Sequence, residues 1–165
     1  MPPATLSPDG AEFDTSGRFR YLLWRTWDAR LPRACFIMLN PSTADAITND
    51  PTISRCISFT TAHACGGLDV VNLFAHRSTD PKLLARTQEA RGRANEAYIA
   101  RAIGRCTLAV AAWGVRGNGH WQDVAALRGV PLLCLGETQR GEPRHPLYVA
   151  GNVRLRPWHA RSLSV

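Results

Sequence analysis

Four short apolar runs punctuate the chain: Ala34–Leu39, Leu68–Phe74, Thr107–Trp113 and Val130–Leu135. Each is continuous rather than alternating, which is the pattern of a strand covered on both faces. Helix signals lie between them. Asp50-Pro51 supplies an N-cap and a first-turn proline, and Ile53, Cys56, Ile57, Thr60 and Ala64 then keep a helical period until Gly66-Gly67 stops it. Asp80-Pro81 repeats the start signal for Lys82 to Ala85; further helices are predicted from about Arg93 to Arg105 and from His120 to Leu127. Buried strands alternating with helices predict an α/β fold, a three-layer sandwich around a mainly parallel four-stranded sheet plus an antiparallel N-terminal strand, Arg20 to Trp27. That strand is expected to run antiparallel because its link to Ala34–Leu39 is too short for a crossover. Residues 1–17, rich in proline and glycine, read as a loose lead-in, and residues 18–165 as a single α/β domain.

Composition narrows the class. The longest apolar runs are six residues, whereas a bilayer span needs about 20, so no membrane segment is expected. The N-terminus shows no apolar signal-peptide core. Five cysteines, an odd number with no C-x-x-C pair, fit reduced thiols and a cytoplasmic location better than a disulfide framework or a cysteine-only metal site. The formal charge is +7, and nineteen of the twenty basic residues are arginine. A planar guanidinium suits phosphate and stacks on bases, so DNA or a nucleotide is the expected partner. Codon bias explains an arginine preference over lysine, but not the net charge.

Ligands of open α/β sheets bind outside the carboxyl ends of the strands, so the residues following each run are the candidates. Asn40-Pro41-Ser42 and Asp45 follow the first. Asn72 lies inside the second, ahead of Arg77. Trp113-Gly114 ends the third, and Arg144-His145 follows the fourth within Pro143–Tyr148. Each has a plain alternative: Asn40-Pro41 as a turn, Asn72 bonded to backbone, His145 in a structural hydrogen bond and Trp113 as core. Of the nearby carboxylates, Asp50 is accounted for as an N-cap, leaving Asp45 as the acid/base candidate. No P-loop, dinucleotide fingerprint, H-E-x-x-H or G-x-S-x-G is present. Neither a cofactor nor a metal is called for.

Five ordered motifs carry a resemblance: MLNPSTAD at Met38–Asp45, DPT at Asp50–Thr52, VNLFAHRSTDP at Val71–Pro81, AAWG at Ala111–Gly114 and PRHPLY at Pro143–Tyr148. Over about Arg20 to Trp158 the chain resembles the domain of unknown function sixteen-forty-three, a family of bacteria and phages. More distantly it resembles the uracil-DNA glycosylase superfamily. That likeness implies a uracil-DNA-glycosylase-like fold with its site at the carboxyl edge of the parallel sheet. It implies that Asn40 positions a water, Asn72 reads a base edge and His145 stabilises the departing base. Leu147-Tyr148 and Met38 depart from the superfamily's usual residues, and an amide at Asn40 orients water without taking a proton.

The expectation is therefore a DNA glycosylase-like protein cutting the N-glycosidic bond of a deaminated or modified base. Asn40, His145 and Asp45 would be catalytic, and Pro41, Ser42, Asn72, Trp113 and Gly114 would bind substrate. Arg77 and Arg144 would hold phosphates. The alternatives are a non-catalytic nucleic-acid or nucleotide-binding module of the same fold, and an enzyme acting on a free or hypermodified nucleotide.

Overall fold

The computed structural model describes residues 7–80 and 88–161. Seven strands form one mixed sheet: β1 (Gly10–Phe13), β2 (Arg20–Thr26), β3 (Arg33–Met38), β4 (Gly67–Asn72), β5 (Leu108–Ala111), β6 (Leu132–Cys134) and β7 (Arg156–Trp158), in the order β1-β2-β4-β3-β5-β6-β7. The four apolar runs are β3 to β6, and they form its parallel centre. Strand β3 lies in the middle, and Ala34 to Met38 are all buried, which is why that run shows no alternation.

The sheet is wider than the sequence predicts, with seven strands rather than four plus one. Strand β1 lies inside the segment read as a loose lead-in. It pairs with β2, and Gly10 lies so close under the Trp24 indole that an added Cβ would come within 2.2 Å of the ring. Strand β7 holds Pro157 on the sheet's edge, where a missing N–H costs no ladder bond. Strand β2 does run antiparallel, but against β4 rather than β3. Strand β3, apolar and buried from Ala34 to Met38, takes the centre, and β2 is displaced outward.

Helix α1 (Pro51–Ala62) starts as predicted, with the Asp50 side chain accepting from the Ile53 N–H at 2.9 Å. Its residues Ile53, Cys56 and Phe59 pack with Phe36, Met38 and Val70. Helix α2 (Asn95–Arg105) puts Ile99 and Ala102 into a second core with Ile37, Val71 and Trp113. Burial of one such large apolar side chain contributes roughly 1.5–3 kcal/mol.

The helix predicted over His120 to Leu127 is instead two 3-10 turns, Trp121–Asp123 and Ala125–Leu127, separated by an extended Val124. The Glu96 carboxylate of α2 accepts from the N–H groups of Ala125 and Ala126, capping the second turn from outside. The helix predicted at Lys82 to Ala85 lies outside the described residues. All five cysteines are free thiols, and no helix of the described residues is long and apolar enough to cross a membrane.

Candidate functional site

The parallel register aligns the carboxyl ends of the central strands, with Met38 beside Asn72 and Ile37 beside Ala111. The chain leaves β3 into a loop that two buried arginines of β2 hold in place. Arg25 donates from Nη2 to the carbonyl of Asp45 at 2.6 Å and from Nε to Asn49 Oδ1 at 2.9 Å. Arg20 donates from Nη1 to the carbonyl of Ala44 at 3.0 Å. On the far side, the Gly114 N–H donates to the Pro143 carbonyl at 3.0 Å. Arg55 of α1 donates to the carbonyls of Pro146 and Val149. The loop carrying His145 is thereby fastened to both β5 and α1.

These loops enclose a cavity of about 700 Å³, within the range of small-molecule sites. Asn40, Pro41, Ser42, Asn72, Trp113, Gly114, Arg144 and His145 all line it. Asp45 and Arg77 do not. The Asp45 carboxylate turns back on its own loop, accepting from the N–H groups of Ile47 and Thr48 at 2.9 and 2.7 Å. Those bonds hold its pKa below the usual carboxylate value. Arg77 ties loops together, donating to the carbonyls of Ser42 and Gly17 and lying 5.0 Å over the Phe13 ring.

The two asparagines differ. Asn40 donates from Nδ2 to the carbonyls of Ser78 at 2.7 Å and Pro41 at 3.1 Å. Both partners are acceptors, so the amide orientation is set and Oδ1 remains to accept. Asn72 is 1% exposed, and neither Oδ1 nor Nδ2 has a partner among the described residues. A buried amide with no bond costs roughly 1–3 kcal/mol. Here it borders the cavity with a donor and an acceptor side by side.

His145 caps the 3-10 turn Pro146–Tyr148, its Nδ1 accepting from the Leu147 N–H at 3.2 Å. A backbone N–H can only donate, so the ring proton belongs on Nε2 and the neutral imidazole is a hydrogen-bond donor there. Burial pulls its pKa below the ordinary 6.5, partly offset by the Asp50 charge. Gly114, at φ 75° in the left-handed region, lets the chain turn beneath this loop; a Cβ there would sit 3.6 Å from that of His145. Trp113 is mostly core: its Nε1 donates to Glu142 Oε2 at 2.9 Å, and Gly117 lies so close that a Cβ would come within 2.0 Å of the indole. Burial pushes the Glu142 carboxyl upward.

Three charged residues of the cavity escaped the sequence reading. Asp50, set aside as an N-cap, is also the cavity's carboxylate, and its Oδ2 accepts from Ser42 Oγ at 2.9 Å. The N-cap reading was correct, but it hid the second role. Arg116, exposed in the glycine-rich loop after β5, stands at the wall with Arg144.

Arg20 is the third, 2% exposed with Nε unpartnered. Its placement comes from a bulge. Glu12 pairs with Leu22 and Phe13 with Arg20, skipping Tyr21, which swings Arg20 towards α1 and the cavity. Burial pulls its pKa down to about 10, opposed by Asp50, so it stays charged at neutral pH. Nothing in a linear pattern announces a bulge.

Comparison with known proteins adds a family and no activity. No curated protein and no solved structure matches the chain. The family model described as "Protein of unknown function (DUF1643)" matches residues 20–147, from the buried arginine of β2 to the turn after His145, and the chain belongs to that family.

Proposed function

We propose that the cavity binds a nucleobase and that the protein is a DNA glycosylase-like hydrolase, built on a uracil-DNA-glycosylase-like three-layer sandwich. One observation carries this reading. Asn72 is buried at a strand's carboxyl end with its amide oxygen and nitrogen both unpartnered beside the cavity. A donor beside an acceptor, coplanar and fixed in a sheet, matches the lactam or amidine edge of a base.

The chemistry follows from the other two residues. Asn40 Oδ1 accepts from a water and aims it at the sugar C1′. Attack forms the C1′–O bond as the C1′–N bond breaks, the bonding pair leaves with the base, and the proton lost by the water passes through solvent to the departing base anion, which leaves neutral. The His145 Nε2–H stabilises that developing anion by donating to it, as a preorganised donor whose backbone bond has already set its tautomer. Arg144 and Arg116 favour the phosphates of a nucleic acid.

The test is incubation with oligonucleotides that each carry one deaminated or damaged base, followed by alkali cleavage and mass analysis. One oligonucleotide should be cut, Asn40→Ala should lower turnover by about 100-fold or more with binding retained, and Asn72→Asp should change base preference.

A second reading has its own support. Asp45 faces away from the cavity, and both oxygens of Asp50 already accept, from Ser42 and Ile53. No other carboxylate lines the cavity among the described residues. A module that binds a base or nucleotide without cleaving it needs the same walls. Saturable binding with no product from any member of the panel would favour it.

A further inference from the structure

Six titratable side chains line the cavity: Arg20, Asp50, Arg116, Arg144, His145 and Tyr148. With a neutral imidazole that makes three cations against one carboxylate. Arg116 and Arg144 are exposed and suit the phosphates of any polyanion. Arg20 is different. It is buried, it lies beyond 4.0 Å from every carboxylate oxygen among the described residues, and its Nε–H has no acceptor. Buried guanidinium groups are normally paired, because a charge removed from water without a partner is costly. The neighbouring Arg25 shows what a purely structural arginine does here, with Nε and both terminal nitrogens all donating to the chain. Arg20 spends one bond on Ala44 and keeps a donor in reserve. Asp50 supplies a favourable field but no contact.

We infer that the acceptor missing from Arg20 is an oxyanion carried by the ligand itself, so that this cavity takes a base or nucleotide bearing a phosphate or carboxylate rather than a neutral base alone. The inference rests on the base-site reading and deepens it. Asn72 holds the base edge and Arg20 reads the charge. The charged group comes either from a mononucleotide's phosphate or from an acidic substituent on the base.

Calorimetric titration tests this with deoxynucleosides, their 5′-monophosphates and 5-carboxyl pyrimidine nucleosides, on the wild type, Arg20→Gln, Arg20→Lys and the double variant Arg116→Gln/Arg144→Gln. One charged class should bind at least about tenfold tighter than its neutral parent, the size of one charge-assisted hydrogen bond. Which class wins identifies the source of the charge. The preference should vanish in Arg20→Gln, persist in part in Arg20→Lys and survive the double variant. Equal binding of charged and neutral ligands overturns the inference. Loss of the preference in the double variant overturns it too, even if Arg20→Gln fails to fold, because the charge is then read at the exposed arginines. Nucleoside binding that needs Asn72 but ignores charge leaves the base site standing and removes only the oxyanion. Inorganic phosphate that stabilises the wild type and, more weakly, Arg20→Lys but not Arg20→Gln, with no nucleoside bound, supports the oxyanion site and removes the base.

Discussion

Strand β4 carries two buried polar residues three positions apart, and the fold treats them in opposite ways. Asp69, 0% exposed, is held on both oxygens. Arg33 donates to Oδ1 from Nη2 at 2.8 Å and Arg105 donates to Oδ1 from Nη2 at 2.6 Å, while Arg105 Nε bonds Oδ2. Asn72, 1% exposed, has no partner for its side chain among the described residues. Its backbone carbonyl accepts from the Asn95 amide at 2.8 Å. The first arrangement locks the amino end of the parallel strands. The second leaves the carboxyl end with unused hydrogen-bonding capacity beside a cavity. Burial alone does not mark a candidate site; burial without a partner at the wall of a cavity does.

Substitution at the two positions should separate these roles. Removing the carboxylate with Asp69→Ala strands two guanidinium groups, and loss of one partner of a buried pair costs about 3–5 kcal/mol. The partial exposure of Arg33 and Arg105 puts the expected loss near the lower end. Denaturant midpoints measure it, and a loss below about 1 kcal/mol would break the contrast.

Asn72→Leu should behave the other way. It replaces an unsatisfied amide by an apolar group of similar volume, so stability should hold or rise by up to about 1 kcal/mol. Base or nucleotide binding should fall at least about tenfold. If Asn72→Leu unfolds the protein as Asp69→Ala does, the amide is structural after all.

The smallest effect belongs to pH. His145 takes up a proton less readily in the folded chain than in the unfolded one, because burial opposes its charge. The unfolded chain therefore binds more protons as pH falls through 6.5, and stability declines there rather than rises. Turnover should fall at lower pH, through the folded chain's own pKa below 6.5, since protonation places a second hydrogen where Nδ1 now accepts. Melting temperature and rate from pH 8 to pH 5 (about the range in which histidine titrates) should show this component in the wild type and lack it in His145→Gln.

The legible parts of the molecule are those where local chemistry is decisive. Continuous apolar runs this short, bounded by turn and helix signals, read as covered strands, and β3 to β6 are those runs. Asp50-Pro51 can cap a helix without reference to anything distant, and α1 begins there. Eight of the ten candidate site residues line one cavity, because each ends a parallel strand or follows it and parallel strands share a carboxyl edge. The two exceptions have local causes. Asp45 is followed by two free backbone N–H groups that it captures, and Arg77 finds carbonyls across the loop. The predicted helix at His120 to Leu127 fails at a distant contact, the Glu96 carboxylate on α2.

Chain order and residue type settled the parallel centre and the edge on which polar groups collect, because periodicity and capping act within a few residues. Pairing across the chain settled the rest. The displacement of β2 beyond β4, the added strands β1 and β7 and the bulge opposite Glu12 and Phe13 are choices between distant partners. The bulge is the clearest case. A single skipped residue reverses which face a side chain occupies, and it turned an arginine that would otherwise have pointed away into a buried, unpaired cation beside Asn72's cavity.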